Sequence, residues 1–240
     1  MTSGRIERAL ATSMPFWIEE FEIGFRAFSA TNIYRETGWL TIQIAKEWSG
    51  SGVYGPAGAD VESANADAPQ DKLDEELSHH RGLIDLGVVM DGAPPTDVGN
   101  PSGDALVSLR NRLWDDPVAR LAVAMSEGGG LGMFAGALAA IAARSEPLSQ
   151  DAAVAQCFGA IITDEAGHVA GGFAGFAAAQ LSMLDEEMVF GHLAQILALK
   201  VEERRAQFAA QFADPIAIPP ATLDRAIAGY QQFARTRFRA

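Results

Sequence analysis

The stretch CFGAIITDEAGHVAGGFAGFAAAQLSML, residues 157–184, carries two adjacent acids and a histidine, and otherwise no Lys, Arg, Asp or Glu. Asp164, Glu165 and His168 therefore lie in a run of Ala, Gly and Phe, where an uncompensated carboxylate costs several kcal/mol to bury. Residues i and i+3 of a helix share a face, so Glu165 and His168 point the same way and can reach one cation. The stretch DEELSHH, residues 74–80, repeats the spacing with Glu76 and His79. In each copy another acid, Glu75 or Asp164, stands four residues before the histidine. One Glu-x-x-His on a helix is more often a surface pair than a ligand set. Two copies with matching acids, one of them without a basic neighbour along the chain, point to metal.

Around these motifs, helical periodicity dominates. Apolar groups recur at helical steps over about 5–48 (Phe21, Phe25, Phe28, Asn32, Trp39), which predicts one long helix ending at the loop SGSGVYGPAG. A second helix is expected from near Asp71 to about Met90, stopping at DGAPPTDVGNPSGD. A third region starts near Asp104, breaks at WDDP and continues from Pro117 to about Arg144. The DEAGH helix follows SEPLS, with Ser149 as its expected cap. Another helix follows Ser182, and a last one follows the IPP of 218–220. No alternating strand pattern and no solenoid repeat is present. The expected fold is all-α, a single domain over 1–240 with long antiparallel helices around one core.

The 240 residues, 48% of them apolar, suffice for one large core. A net charge of −13 argues against a nucleic-acid partner, and the basic end YQQFARTRFRA is expected to be a solvated helix end. The lone Cys157 excludes an internal disulfide framework, and the N-terminal stretch lacks the apolar run of a signal peptide, so a cytoplasmic location is expected. Roughly 117–144 and 152–184 are apolar enough to consider as membrane spans. They are rich in Gly and Ala and each carries an ionisable group, so buried core helices are expected instead.

Two lone acids complete the pattern. Glu127 is the only acid between Pro117 and Ser145. Glu36 continues the stripe Phe25, Phe28, Asn32 toward Trp39, whereas Glu19, Glu20 and Glu22 cluster near a helix start and look solvated. Glu, Glu-x-x-His, Glu, Glu-x-x-His, each on its own helix, resembles the ferritin-like di-iron or di-manganese carboxylate superfamily. The resemblance spans a metal-binding bundle over about 15–185, leaving accessory C-terminal helices over about 183–238. The doubled acids look most like its oxygen-activating branch, the rubrerythrin- and monooxygenase-like four-helix bundles. The resemblance implies Glu36, Glu76, His79, Glu127, Glu165 and His168 as metal ligands, with Glu127 and Glu165 at the catalytic centre. Glu75 and Asp164 would support the histidines, with the assistance expected to cross between helices. Glu22 and Glu47 are the alternatives to Glu36, because a Gly-rich interval separates Glu36 from Glu76.

By the same resemblance the protein would be a non-haem di-iron oxygenase or oxidase: two Fe ions, or Mn or mixed Mn/Fe, activate O2 to oxidise a small apolar organic substrate, with an external electron donor. A ferroxidase, an iron-handling protein and a manganese catalase share the ligand set. No nucleic-acid or membrane partner is expected, and the helices after 182 suit a homodimer surface. Gly128, Gly129 and Gly130 leave either space beside the metals or close helix packing. With Gly167, Gly171 and Gly172 they could leave an apolar pocket. Cys157 reads as a structural thiol, His192 as a core or interface histidine, and His80 as surface or supporting. Tyr34 lies on the far side of the helix from Glu36, so no radical role is expected of it.

Overall fold

The computed structural model describes residues 2–50, 70–90, 101–126 and 129–238. Every regular element among them is a helix: α1 (Thr2–Ser29), α2 (Gly38–Gly50), α3 (Gln70–Val89), α4 (Pro101–Trp114), α5 (Ala119–Met125), α6 (Gly129–Ala142), α7 (Asp151–Ala178), α8 (Met183–Gln207), α9 (Ala209–Phe212) and α10 (Pro220–Phe238). The all-α expectation holds.

The single helix expected over about 5–48 is two helices. Ser29, Thr31, Asn32, Tyr34 and Gly38 are weak helix formers, and the backbone turns among them. Side chains then hold the corner: Trp39 Nε1 donates to the Ile33 carbonyl at 2.9 Å and Asn32 Nδ2 to that of Ala210 at 3.1 Å. This corner turns α2 to a new direction and takes Glu36 out of any helix. At the start of α7, Ser149 does not cap. Gln150 is the N-cap and makes no side-chain bond there, while Asp151 Oδ2 accepts from Leu148 N at 2.8 Å. Ser182, by contrast, forms a full capping box with Asp185 at the start of α8.

Glycine sets the helix spacing. A Cβ at Gly24 or Gly136 would overlap the backbone carbonyl of Met133 or Phe21, and one at Gly132 would lie 2.5 Å from that of Trp17. Backbones of α1 and α6 therefore approach closely, with Trp17, Phe21, Phe25 and Phe134 all buried beside them. Phe28 lies at the core's centre, its ring 5.1 Å from Trp39 and 5.4 Å from Phe158. The stretch Ala119–Ala142 is long and apolar enough to cross a membrane by composition, with 67% of its most apolar window buried inside the protein.

α8 packs on α1, α4 and α5, burying Val189, Leu193, Ile196, Leu197 and Val201. The basic end of α10 is amphipathic: Tyr230, Ala234 and Phe238 are buried, whereas Arg235 and Arg237 are exposed.

Candidate metal centre

Three helices build the site, and α3 lies between the other two. Its buried stripe reads Glu76, His79, His80, Leu83, Leu86, Met90, so the acid and the histidine take positions that apolar residues fill one turn later. Small residues bring the neighbours in: a Cβ at Gly87 would touch Leu40 of α2, and one at Gly82 would touch Cys157 Sγ of α7, each at 3.6 Å. On α2 the stripe Trp39, Leu40, Gln43, Ile44 ends at Glu47. On α7, Phe158, Ile161, Val169 and Phe173 face the core, and Glu165 and His168 sit half-buried along its edge.

These residues form two overlapping triads. Ligand atoms of Glu47, Glu76 and His79 lie within 4.8 Å of one another, and so do those of Glu76, Glu165 and His168. Glu76 belongs to both. The supporting acids cross between helices: His79 Nε2 is 2.9 Å from Asp164 Oδ2 of α7, and His168 Nε2 is 3.0 Å from Glu75 Oε2 of α3. Each carboxylate can accept a proton from Nε2, which turns Nδ1 of the ring toward the acids of the triad as the atom available to an ion. His79 Nδ1 is buried without hydrogen-bond geometry to any partner and lies 3.4 Å from Glu47 Oε2.

Electrostatics set the demand for a cation. Burial disfavours both charged forms, yet mutual contacts override it: His79 rises to about 9 through the carboxylates of Glu47 and Asp164, with Glu76 behind them. Glu47 is held below the usual carboxylate range despite its burial, by His79, a hydrogen bond shared with Glu76, and the Gln43 amide. Protons thus do here what a divalent ion does better, neutralising clustered carboxylates in a dry interior.

The fold places other candidates differently. Glu36 is exposed in the corner between α1 and α2, where its backbone N–H donates to the Asn32 carbonyl at 2.9 Å and its carbonyl accepts from Gln211 Nε2 at 2.7 Å. Glu47, an alternative to Glu36, lies on α2 beside Glu76 and His79. Glu22 is paired along α1 with Arg26 at 3.8 Å. Glu127 and Gly128 lie outside the described residues, so the carboxylate assigned from that segment is not placed. Glu20 is not solvated: it is fully buried, 3.9 Å from Arg204 Nε, and desolvation lifts it to about 7 against Arg204, Lys200 and Lys46. Lys200 of α8, lowered to about 8 by burial, feels both Glu20 and Glu165, so DEAGH has a basic neighbour that the chain nearby does not supply.

His80 is buried rather than at the surface, its Nδ1 3.2 Å from the Ile44 carbonyl. His192 is half-buried. Tyr34 donates to Asp151 Oδ1 at 2.7 Å, away from the triads. Burial, then Glu47 and Asp85, push the Cys157 thiol up to about 12, which keeps it protonated and unreactive. Of the described glycines named from the sequence, Gly167 and Gly171 are exposed, Gly172 abuts the Ala124 carbonyl, and Gly130 faces the Phe134 ring. No family model matches the chain, and no curated protein or solved structure matches it.

Proposed function

We propose that the chain is a di-iron oxygenase or oxidase, built as a ferritin-like bundle in which α1–α2, α3, α5–α6 and α7 are the four members. The observation that carries this reading is the sharing of Glu76 between two carboxylate–histidine triads. A carboxylate has two oxygens, so one Glu at that position can serve two ions. Glu47 and His79 would hold one ion, and Glu165 and His168 the other. The residues fit such ions, because oxygen and imidazole donors suit Fe(II) and Mn(II) and a buried imidazole nitrogen faces the cluster without a hydrogen bond. Among the described residues the set holds three carboxylates, one charge short of two divalent ions.

Two irons there would supply the electrons that reduce O2 while a small apolar substrate is oxidised, with an external donor restoring them. The protein's part is orientation and dryness. Asp164 and Glu75 keep a proton on Nε2 of His79 and His168, which fixes both rings. Leu83 and Ile161, one turn from His79 and Glu165, are buried and exclude water from that flank.

Iron content per chain tests the reading, measured by mass spectrometry after anaerobic Fe(II) loading and desalting. Wild type should retain close to two irons, and Glu76→Ala should lose both together. Oxygen uptake by the loaded wild type follows from the same preparation. Iron no higher in wild type than in Glu76→Ala overturns the proposal, and retention of Mn(II) alone replaces iron with manganese.

A further inference from the structure

A buried polar chain runs from α8 to the first triad, and the triads do not require it. Arg204 Nη1 donates to Gln43 Oε1 at 2.6 Å and to Gln207 Oε1 at 2.8 Å. Gln207 Nε2 donates to the Trp39 carbonyl at 2.9 Å. Gln43 Nε2 in turn donates to Glu47 Oε1 at 2.5 Å. All four side chains are buried, with exposures of 6% for Arg204, 4% for Gln207, 2% for Gln43 and 6% for Glu47.

Burying a guanidinium and two amides where helices could meet through leucines costs free energy unless every group is placed. The chemistry allows a single arrangement. A guanidinium only donates, so the Gln43 oxygen must face Arg204 and its NH2 must face away. That NH2 meets Glu47 and takes one of its oxygens. The other oxygen, Oε2, remains beside His79 Nδ1 at 3.4 Å.

We infer that Gln43 and Arg204 are positioning residues for the metal centre: Arg204 locks the Gln43 amide, which holds one oxygen of Glu47 and leaves it a single oxygen for the ion shared with His79. This rests on the proposed dinuclear site. It makes α8 part of the centre although α8 contributes no ligand. With Oε1 engaged by Gln43, Glu47 would offer Oε2 to an ion bound beside His79.

Co(II) titration of the full chain, followed by calorimetry and visible absorption, tests the inference with wild type, Gln43→Leu and Arg204→Lys. In Gln43→Leu, Co(II) should bind the Glu47–Glu76–His79 triad about tenfold more weakly while the Glu76–Glu165–His168 ion is unchanged. Its visible band should also lose intensity, because a two-oxygen Glu47 raises the coordination number. Arg204→Lys keeps the charge but cannot serve two amides, and should reproduce the selective loss. It decides the matter if Gln43→Leu does not fold. Two ions bound as in wild type with an unchanged spectrum, or both ions weakened equally, overturn the positioning role and leave the dinuclear site standing. No Co(II) uptake by wild type overturns the dinuclear site and this inference with it.

Discussion

Replacing Asp164 with Asn removes a charge but keeps an oxygen that can accept the His79 Nε2 proton, so the ring keeps its orientation and only its basicity falls. Changing the partner of a metal-bound histidine typically weakens metal affinity by about 10- to 100-fold. The Asp164 side chain is 35% exposed and its charge is screened by water, which selects the low end of that range. The expected loss is about tenfold, about 1.4 kcal/mol, for the ion at His79. The crossing of the supports makes the test sharp, since Asp164 shares a helix with His168 yet serves His79. Calorimetric Co(II) titration in single-ligand backgrounds separates the two. In a His168→Ala background, Asp164→Asn should weaken the remaining ion about tenfold. In a His79→Ala background it should change nothing. Glu75→Gln should give the mirror result, because Glu75 serves His168 at 3.0 Å. An effect of Asp164→Asn confined to the His79→Ala background would refute the crossed pairing.

Three further outcomes are expected. Glu20 titrates at about 7 in the fold against 4.5 ordinarily, so wild-type stability falls as pH rises between those values. Glu20→Gln should therefore gain nothing at pH about 4 and up to about 3 kcal/mol at pH about 8 in urea unfolding. An equal gain at both pH values contradicts the buried acid. Gly136→Ala should destabilise by about 1–3 kcal/mol through its clash with the Phe21 carbonyl. Gly171→Ala, in open space on α7, should gain up to about 1 kcal/mol by the same measurement. Glu36→Ala should leave bound iron unchanged while Glu47→Ala loses about one equivalent, read by metal analysis; the opposite pattern restores Glu36 as the ligand.

Much of the helix plan was legible because periodicity and punctuation are local. The Ser182 box and the Pro220 start of α10 both follow from a few adjacent residues. The break after Ser29 was harder to see, because the apolar stripe of α1 runs on past it. Phe28, Asn32 and Trp39 look like one continuous face, but Asn32 and Trp39 pin a corner instead. A helix begun at Gly38 would have revealed Glu47 as the end of the stripe Trp39, Gln43, Ile44.

The two Glu-x-x-His pairs are properties of the sequence, since three-residue spacing puts both donors of each pair on one helix face whatever surrounds them. Everything between helices belongs to the tertiary structure. Packing α3 between α2 and α7 makes Glu76 common to two triads and sends Asp164 to His79 and Glu75 to His168. It also brings Arg204, from a helix more than a hundred residues away, to the amide that holds Glu47. Side chains on separate helices have no fixed spacing along the chain, so their meeting is decided by glycine contacts and buried aromatic rings that set how closely the helices approach.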